Sequence, residues 1–255
     1  MKENLKNVTF NIPFKYDSQD RIDNLFFVVK YLNILFDTNI NILEIGETPC
    51  GKGISDQCNY EFMIFDGMFS RSKMFNKLCK MSNTKFIVNY DCDVFFHKHQ
   101  YLQSYEYLNQ GYDMVLPYKD RAWNYDRNVI NEIICNNKVC YDNLKNIRKR
   151  YKGRHVVGGA VFWNKDSYIK TGMDNENFNG WGCEDRERFI RSKTLKLKIK
   201  KVDGHLCHVS HQHVSENYKT GEIHRLNKRE RHRIESMSYE ELSEEIKKWD
   251  WWQNF

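Results

Sequence analysis

The chain reads as an α/β protein, a Rossmann-like open mixed sheet flanked by helices, and three features predict it. Short apolar strand patterns alternate with helical ones from the start of the chain. The hydrophobic stretch Phe86–Tyr90 runs directly into the acidic triplet Asp91-Cys92-Asp93. Glycine punctuation at Gly158-Gly159 and Gly180-Trp181-Gly182 marks later segments where backbone and ligand, or two backbones, come close.

Taken in order, Val8–Ile12 alternates as a strand, and Pro13 is expected to end it by removing a ladder donor. After a polar turn from Lys15 to Asp20, Ile22, Leu25, Phe26, Val29, Leu32 and Phe36 keep the rhythm of an amphipathic helix. Asn41–Ile45 follows as a strand, and this strand, helix, strand order opens a sheet whose ligands sit beyond the carboxyl ends of its strands. Phe62–Phe65 is a short strand, and Ser70 caps a helix in which Met74, Leu78 and Met81 share a face. Phe86–Tyr90 and Met114–Leu116 are further strands, the second stopped by Pro117. The polar stretch Lys119–Gly153 is an insertion placed to cover the site, and Val156–Trp163 is a strand with Gly158-Gly159 inside it. A helix runs from the acidic pair Glu184-Asp185 through Phe189, Leu197–Val202 is the last strand, and a loop carrying His205, His208, His211 and His213 follows. Ser238 and Glu241 have capping-box spacing, and Trp249, Trp251 and Trp252 near the end suit packing against the sheet.

At 255 residues and 40% hydrophobic content, one substantial core and a single domain are expected. Mean hydropathy is -0.76, and no run is long enough to span a bilayer. Residues Met1–Asn11 lack the apolar core of a secretory signal, so a cytoplasmic location is expected. The net charge of +6 comes from 40 basic residues interleaved with 34 acidic ones, which gives nucleic-acid binding little support. The eight cysteines form no C-x-x-C pair, so reduced thiols are expected.

Carboxylates two residues apart at a strand end repel unless a cation or proton intervenes, so Asp91 and Asp93 invite a divalent metal. His205 or His208 could add an imidazole, His208 being favoured, and the mixed nitrogen and oxygen set suits manganese or a similar ion. A zinc site from Cys207, His211 and His213 lacks the usual ligand spacing. Glu184 and Asp185 open a helix, where the dipole favours carboxylates and one of them can act as a base. Each feature has a plainer explanation: a polar strand end, solvated histidines, ordinary helix-start acids, and a Trp181 packed in the core instead of walling a sugar site.

Taken together these segments resemble the β-1,4-galactosyltransferase family. Ile12-Pro13-Phe14-Lys15 is similar to its Pro-Phe-Arg nucleotide-binding opening, with Arg21 near a second basic position. Phe69-Ser70-Arg71-Ser72-Lys73 is similar to its Phe-x-Arg-Ala-Lys segment, which lies against the uridine nucleotide, and Asp91-Cys92-Asp93 to its Asp-Val-Asp metal motif. Gly158-Gly159 and Gly180-Trp181-Gly182-Cys183-Glu184-Asp185 resemble its Gly-Gly-Val and Trp-Gly-Gly-Glu-Asp-Asp blocks, with Cys183 in place of a glycine and Arg186 in place of an acid.

The resemblance implies a GT-A type fold and an inverting, manganese-dependent transfer of a hexose or N-acetylhexosamine from a UDP-sugar to a glycan, glycolipid or glycoprotein acceptor. Asp185 would be the catalytic base and Glu184 would bind the acceptor. Pro13, Phe14, Lys15, Arg21, Phe69, Arg71, Asp91, Asp93, Gly159 and Trp181 would line the donor, and Asp93, His208, Asp91 and His205 would serve the metal. Residues 1–117 would form a nucleotide-binding half, 118–155 an insertion or lid, 156–225 an acceptor and metal half, and 226–255 a helical tail. Two rivals stand beside this reading. One is an idle carbohydrate-binding protein on the same fold; the other is a nucleic-acid module using the basic runs Lys145–Arg154 and Lys228–Arg233.

Overall fold

The computed structural model describes residues 1–119, 121–154, 156–180, 182–212 and 221–255. Its first half contains β1 (Glu3–Lys15), α1 (Gln19–Leu35), β2 (Phe36–Gly46), β3 (Asn59–Ile64), α2 (Arg71–Met81), β4 (Phe86–Tyr90), β5 (Val94–Phe95), α3 (Lys98–Asn109) and β6 (Met114–Leu116). There follow β7 (Arg121–Tyr125), α4 (Val129–Glu132), β8 (Ile134–Cys135), β9 (Lys138–Val139), β10 (Lys149–Arg154), β11 (Ala160–Asn164) and α5 (Lys165–Lys170). The chain closes with α6 (Glu184–Thr194), β12 (Ile199–Lys201), β13 (Leu206–Val209), α7 (Glu222–Glu235), α8 (Tyr239–Ile246) and α9 (Asp250–Gln253).

The main sheet has seven strands in the order β12-β6-β11-β4-β1-β2-β3. Strands β1, β2, β3 and β4 run parallel, and β11 is antiparallel to both β4 and β6, so the sheet is open and mixed as expected. Helices cover both faces, as the near-continuous burial of β1 from Val8 to Phe14 requires. On one face Phe10, on β1, packs its ring edge-on to Tyr90 and Phe162 and against Tyr101 of α3. On the other, Leu43 and Ile45 meet Met74, Phe75 and Leu78 of α2.

Asparagines hold one level across this sheet. Asn89 is in register with Asn11, Asn11 with Asn41, and Asn41 with Asn59, so amides line up across β4, β1, β2 and β3. Asn59 Nδ2 donates to Asn41 Oδ1 (3.1 Å), Ser82 Oγ donates to Asn11 Oδ1 (2.9 Å), and Asn89 Nδ2 donates to Asp174 Oδ2 (2.8 Å).

A second sheet, β10-β7-β13-β5, is built from β7 and β10 of the 119–154 stretch together with β13 and β5. The strand β13 corrects the loop expected around the histidines: Leu206–Val209 pairs with β7 on one side and β5 on the other. Two further expectations change. β1 runs through Pro13 to Lys15, because the pairing with β4 stops at Asn11 and a ladder tolerates proline where one side has no partner strand. Gly158 and Gly159 precede β11 instead of lying inside it. At the end of the chain, Trp249 is buried, and the Trp251 and Trp252 indoles donate to the carbonyls of Gly172 (3.1 Å) and Ile169 (2.7 Å), so these residues seal α8 and α9 against the end of α5. All eight cysteines are free thiols, and among the described residues no helix is long and apolar enough to cross a membrane.

Candidate active site

Backbone pairing at the carboxyl end of β4 draws three distant segments together. The Asp91 amide donates to the Gly159 carbonyl (2.8 Å), and the Val209 amide of β13 donates to the Asp93 carbonyl (2.8 Å). The Gly180 amide donates to the Phe69 carbonyl (2.8 Å), which fixes the start of α2 against the loop that leads into α6. Cys92 points into the core between two outward carboxylates.

Asp93 forms one station. Its side chain is 6% exposed and receives Arg21 Nη1 from α1, while His208 Nε2 and His211 Nε2 stand 3.6 and 3.3 Å from its Oδ2. Burial pushes the Asp93 carboxyl up, but His208, Arg21 and the hydrogen bonds of both histidines outweigh it and hold the group well below the usual carboxylate range. Both imidazoles are oriented from behind: His208 Nδ1 lies 2.6 Å from Asn124 Oδ1 and His211 Nδ1 lies 2.9 Å from the Gln212 carbonyl. A cation bound between these groups would take the place of the Nε2 protons and leave the Nδ1 atoms as donors to those oxygens, the tautomer that a metal-ligating histidine takes. The ligand atoms of Asp93, His208 and His211 lie within 4.8 Å of one another. One carboxylate and two imidazoles fit a divalent first-row ion such as manganese.

Asp185 forms the other station. Its Oδ2 pairs with Arg71 Nη2 (2.6 Å), and its Oδ1 accepts from Arg188 Nη2 (2.6 Å). Arg71 also spans Asp91, meeting both oxygens at 2.8 Å, and Glu184 Oε1 at 2.7 Å, so one guanidinium ties three carboxylates together. Burial pushes both acids up. At Asp185 the Arg71 and Arg188 charges outweigh burial and lower the carboxyl, whereas at Glu184 burial and the Asp185 charge prevail over Arg71 and raise it. Such a split separates a group that keeps its charge to lower pH from one that protonates more readily. Gly158 is required here, since a Cβ built on it would fall on the Asp185 carboxylate. Cys183 caps α6 in the left-handed region (φ 79°), where a residue with a Cβ is strained.

The structure therefore brings together Arg21, Arg71, Asp91, Asp93, Gly159, Glu184, Asp185 and His208. Lys15 lies at the edge, its Nζ 3.4 Å from the Gly67 carbonyl, while Pro13 is buried, the Phe14 ring belongs to the core and Phe69 packs beside Leu43 and Ile45. Trp181 and His213 lie outside the described residues. His205 does not join the metal group: it is three residues from His208 along an extended segment, an odd separation that turns it to the opposite face. There its ring meets His97 and Tyr125, and burial with the nearby His97 and Lys149 pushes its pKa down to about 4. His211 stands beside Asp93 and His208 instead. Arg188 and its partner Asp174 also escaped the reading of the sequence, although the i, i+3 spacing of Asp185 and Arg188 on a helix signals that pair.

Residues 140–214 match the family model described as the N-terminal domain of galactosyltransferase. That stretch includes Gly159, Glu184, Asp185, His208 and His211. Among solved structures, the catalytic domain of Drosophila β1,4-galactosyltransferase 7 in complex with xylobiose aligns with a TM-score of 0.49 at 16% identity, over 78% of this chain and 64% of that one. A mutant of Drosophila β1,4-galactosyltransferase 7 in complex with manganese, UDP-Gal and xylobiose aligns with a TM-score of 0.46 at 17% identity and the same coverage. At 64%, the chain spans less than two thirds of the length of these structures. No curated protein matches the sequence.

Proposed function

We propose that this protein is an inverting, metal-dependent glycosyltransferase that moves a hexose or N-acetylhexosamine from a UDP-sugar to a hydroxyl of a glycan, glycolipid or glycoprotein. The observation that carries the reading is the joining of two stations by Arg71. An ionised Asp185 lies on one side of that guanidinium, and on the other is Asp91, at the strand end that also bears Asp93 with His208 and His211. In this reading residues 1–117 hold the nucleotide, 118–155 cover the site, 156–225 hold acceptor and metal, and 226–255 are a helical tail.

The acceptor oxygen forms a bond to the anomeric carbon as that carbon's bond to the diphosphate oxygen breaks, the electron pair leaving on UDP. The acceptor proton passes to Asp185. A manganese ion bound by Asp93, His208 and His211 would offset charge on the departing diphosphate. Arg21 and Arg71 are guanidiniums suited to phosphate oxygens, and in this reading Glu184 binds the acceptor.

The test is calorimetric titration with UDP and a panel of UDP-sugars including UDP-galactose, with manganese present and with the metal chelated. Manganese-dependent UDP binding with one preferred sugar is expected. Absence of binding under both conditions would sink the reading and favour a carbohydrate-binding role.

A further inference from the structure

Behind Asp185 lies a buried polar network that the transfer reaction does not itself call for. Asp174 is 1% exposed, and its Oδ2 accepts from Tyr168 OH (2.7 Å) and Asn89 Nδ2 (2.8 Å) while its amide donates to Asn76 Oδ1 (2.9 Å). Its Oδ1 accepts from Arg188 Nη1 (2.7 Å), whose other terminal nitrogen reaches Asp185. One turn further along α6, Arg191 offers a contrast. Its guanidinium is spent on Glu187 and on the carbonyls of Thr171 and Met173, a wholly structural use.

We propose that Arg188 is a positioning residue for Asp185, an inference that rests on the glycosyltransferase reading above. A planar fork fixed at one end by the buried, fully hydrogen-bonded Asp174 sets the place of Asp185 Oδ1 at the other. Arg71 holds Oδ2 from α2, so rotation of the carboxylate plane is blocked from two independent elements. Arg71 has three carboxylates to serve and stands where a nucleotide would engage it, so Arg188 is the restraint that persists when Arg71 turns to phosphate.

The test compares the wild type with Arg188→Lys, which keeps the charge and loses the fork, and with the double variant Asp174→Asn/Arg188→Met, which removes both buried charges together. Turnover is read as UDP release from UDP-galactose with manganese and water as acceptor. For both variants kcat is expected to fall about ten- to a hundredfold, the scale of a small misplacement of a reacting group. The KM for UDP-galactose and the UDP affinity should stay within about twofold, as for an interaction made only in the transition state. Unchanged kcat, or a kcat loss matched by equal losses of UDP affinity and melting temperature, would overturn the proposal. If the wild type neither binds nor turns over any UDP-sugar of the panel, the functional reading fails by itself, and ¹³C NMR titration of the Asp185 carboxyl decides the clamp. The groups facing Asp185 are Arg71 from α2, Glu184 and Arg188 from α6, Asp91 at the end of β4, and Tyr118, whose hydroxyl holds the Gly158 carbonyl. An upward shift of the Asp185 midpoint in Arg188→Lys supports the clamp; an unmoved one overturns it.

Discussion

Asp93 and Asp185 are both acids held below their ordinary range at the same end of the sheet, yet their surroundings are built from different chemistry. Asp93 is met by two imidazoles with their Nε2 atoms turned inward, groups that can exchange a proton for a cation, together with one guanidinium that must give way or share. Asp185 is met by two guanidiniums, one of them anchored in a buried network, so its charge is already balanced and its position set. The first arrangement has the chemistry to seat a cation; the second favours the anion and fixes its place. The difference is in which atoms accompany the carboxylate, since burial pushes both carboxyls the same way.

This contrast breaks most sharply at Asp185. In Asp185→Asn, UDP-galactose turnover should fall about 10²- to 10⁴-fold, the usual worth of a general base, while calorimetry finds manganese-dependent UDP binding kept. Loss of UDP binding in that variant would mean the two stations are one. Next in size, Asn124→Ala removes the group behind His208 and leaves the ligand itself, and manganese affinity should drop about ten- to a hundredfold. An unchanged titration would show that Asn124 does not orient the imidazole. Smaller again, Cys183→Gly relieves the left-handed residue that caps α6 and should raise the unfolding free energy by about 1 kcal/mol in urea titrations. The smallest effect concerns pH. Asp185 is held down in the folded chain, so its stabilisation is complete above the ordinary carboxylate range and is lost as pH falls through the lowered value. Unfolding free energies measured across that window should therefore decline less steeply in Asp185→Asn than in the wild type.

Much of the sheet was legible because its strands carry their own pattern. Phe86–Tyr90 and Met114–Leu116 are found where their apolar runs stand, and Ser70 and Ser238 cap their helices through side-chain oxygens. The miss at β13 has a physical cause: Leu206–Val209 is short, contains a cysteine and a histidine, and owes its extended form to partners on both sides. That miss misplaced His205, because the alternation of a strand, invisible in a supposed loop, decides which histidine faces Asp93. Arg188 was hidden differently. Its i, i+3 relation to Asp185 is local, but Asp174, which gives the pair its meaning, is brought to it by tertiary packing.

The row formed by Asn89, Asn11, Asn41 and Asn59 bears on how the chain finds this arrangement at all. Parallel strands have no tight turn between them to dictate alignment, and the apolar residues around these amides would accept several alignments about equally well. Sliding one strand by a single residue shifts its amide about 3.3 Å and turns it to the other face. Each amide stranded in that way would cost about 1–3 kcal/mol. The row thus works as a notched key: hydrophobic collapse admits many fits, and the fit that lines up the amides is the one in which Asn41 donates to Asn11 and accepts from Asn59.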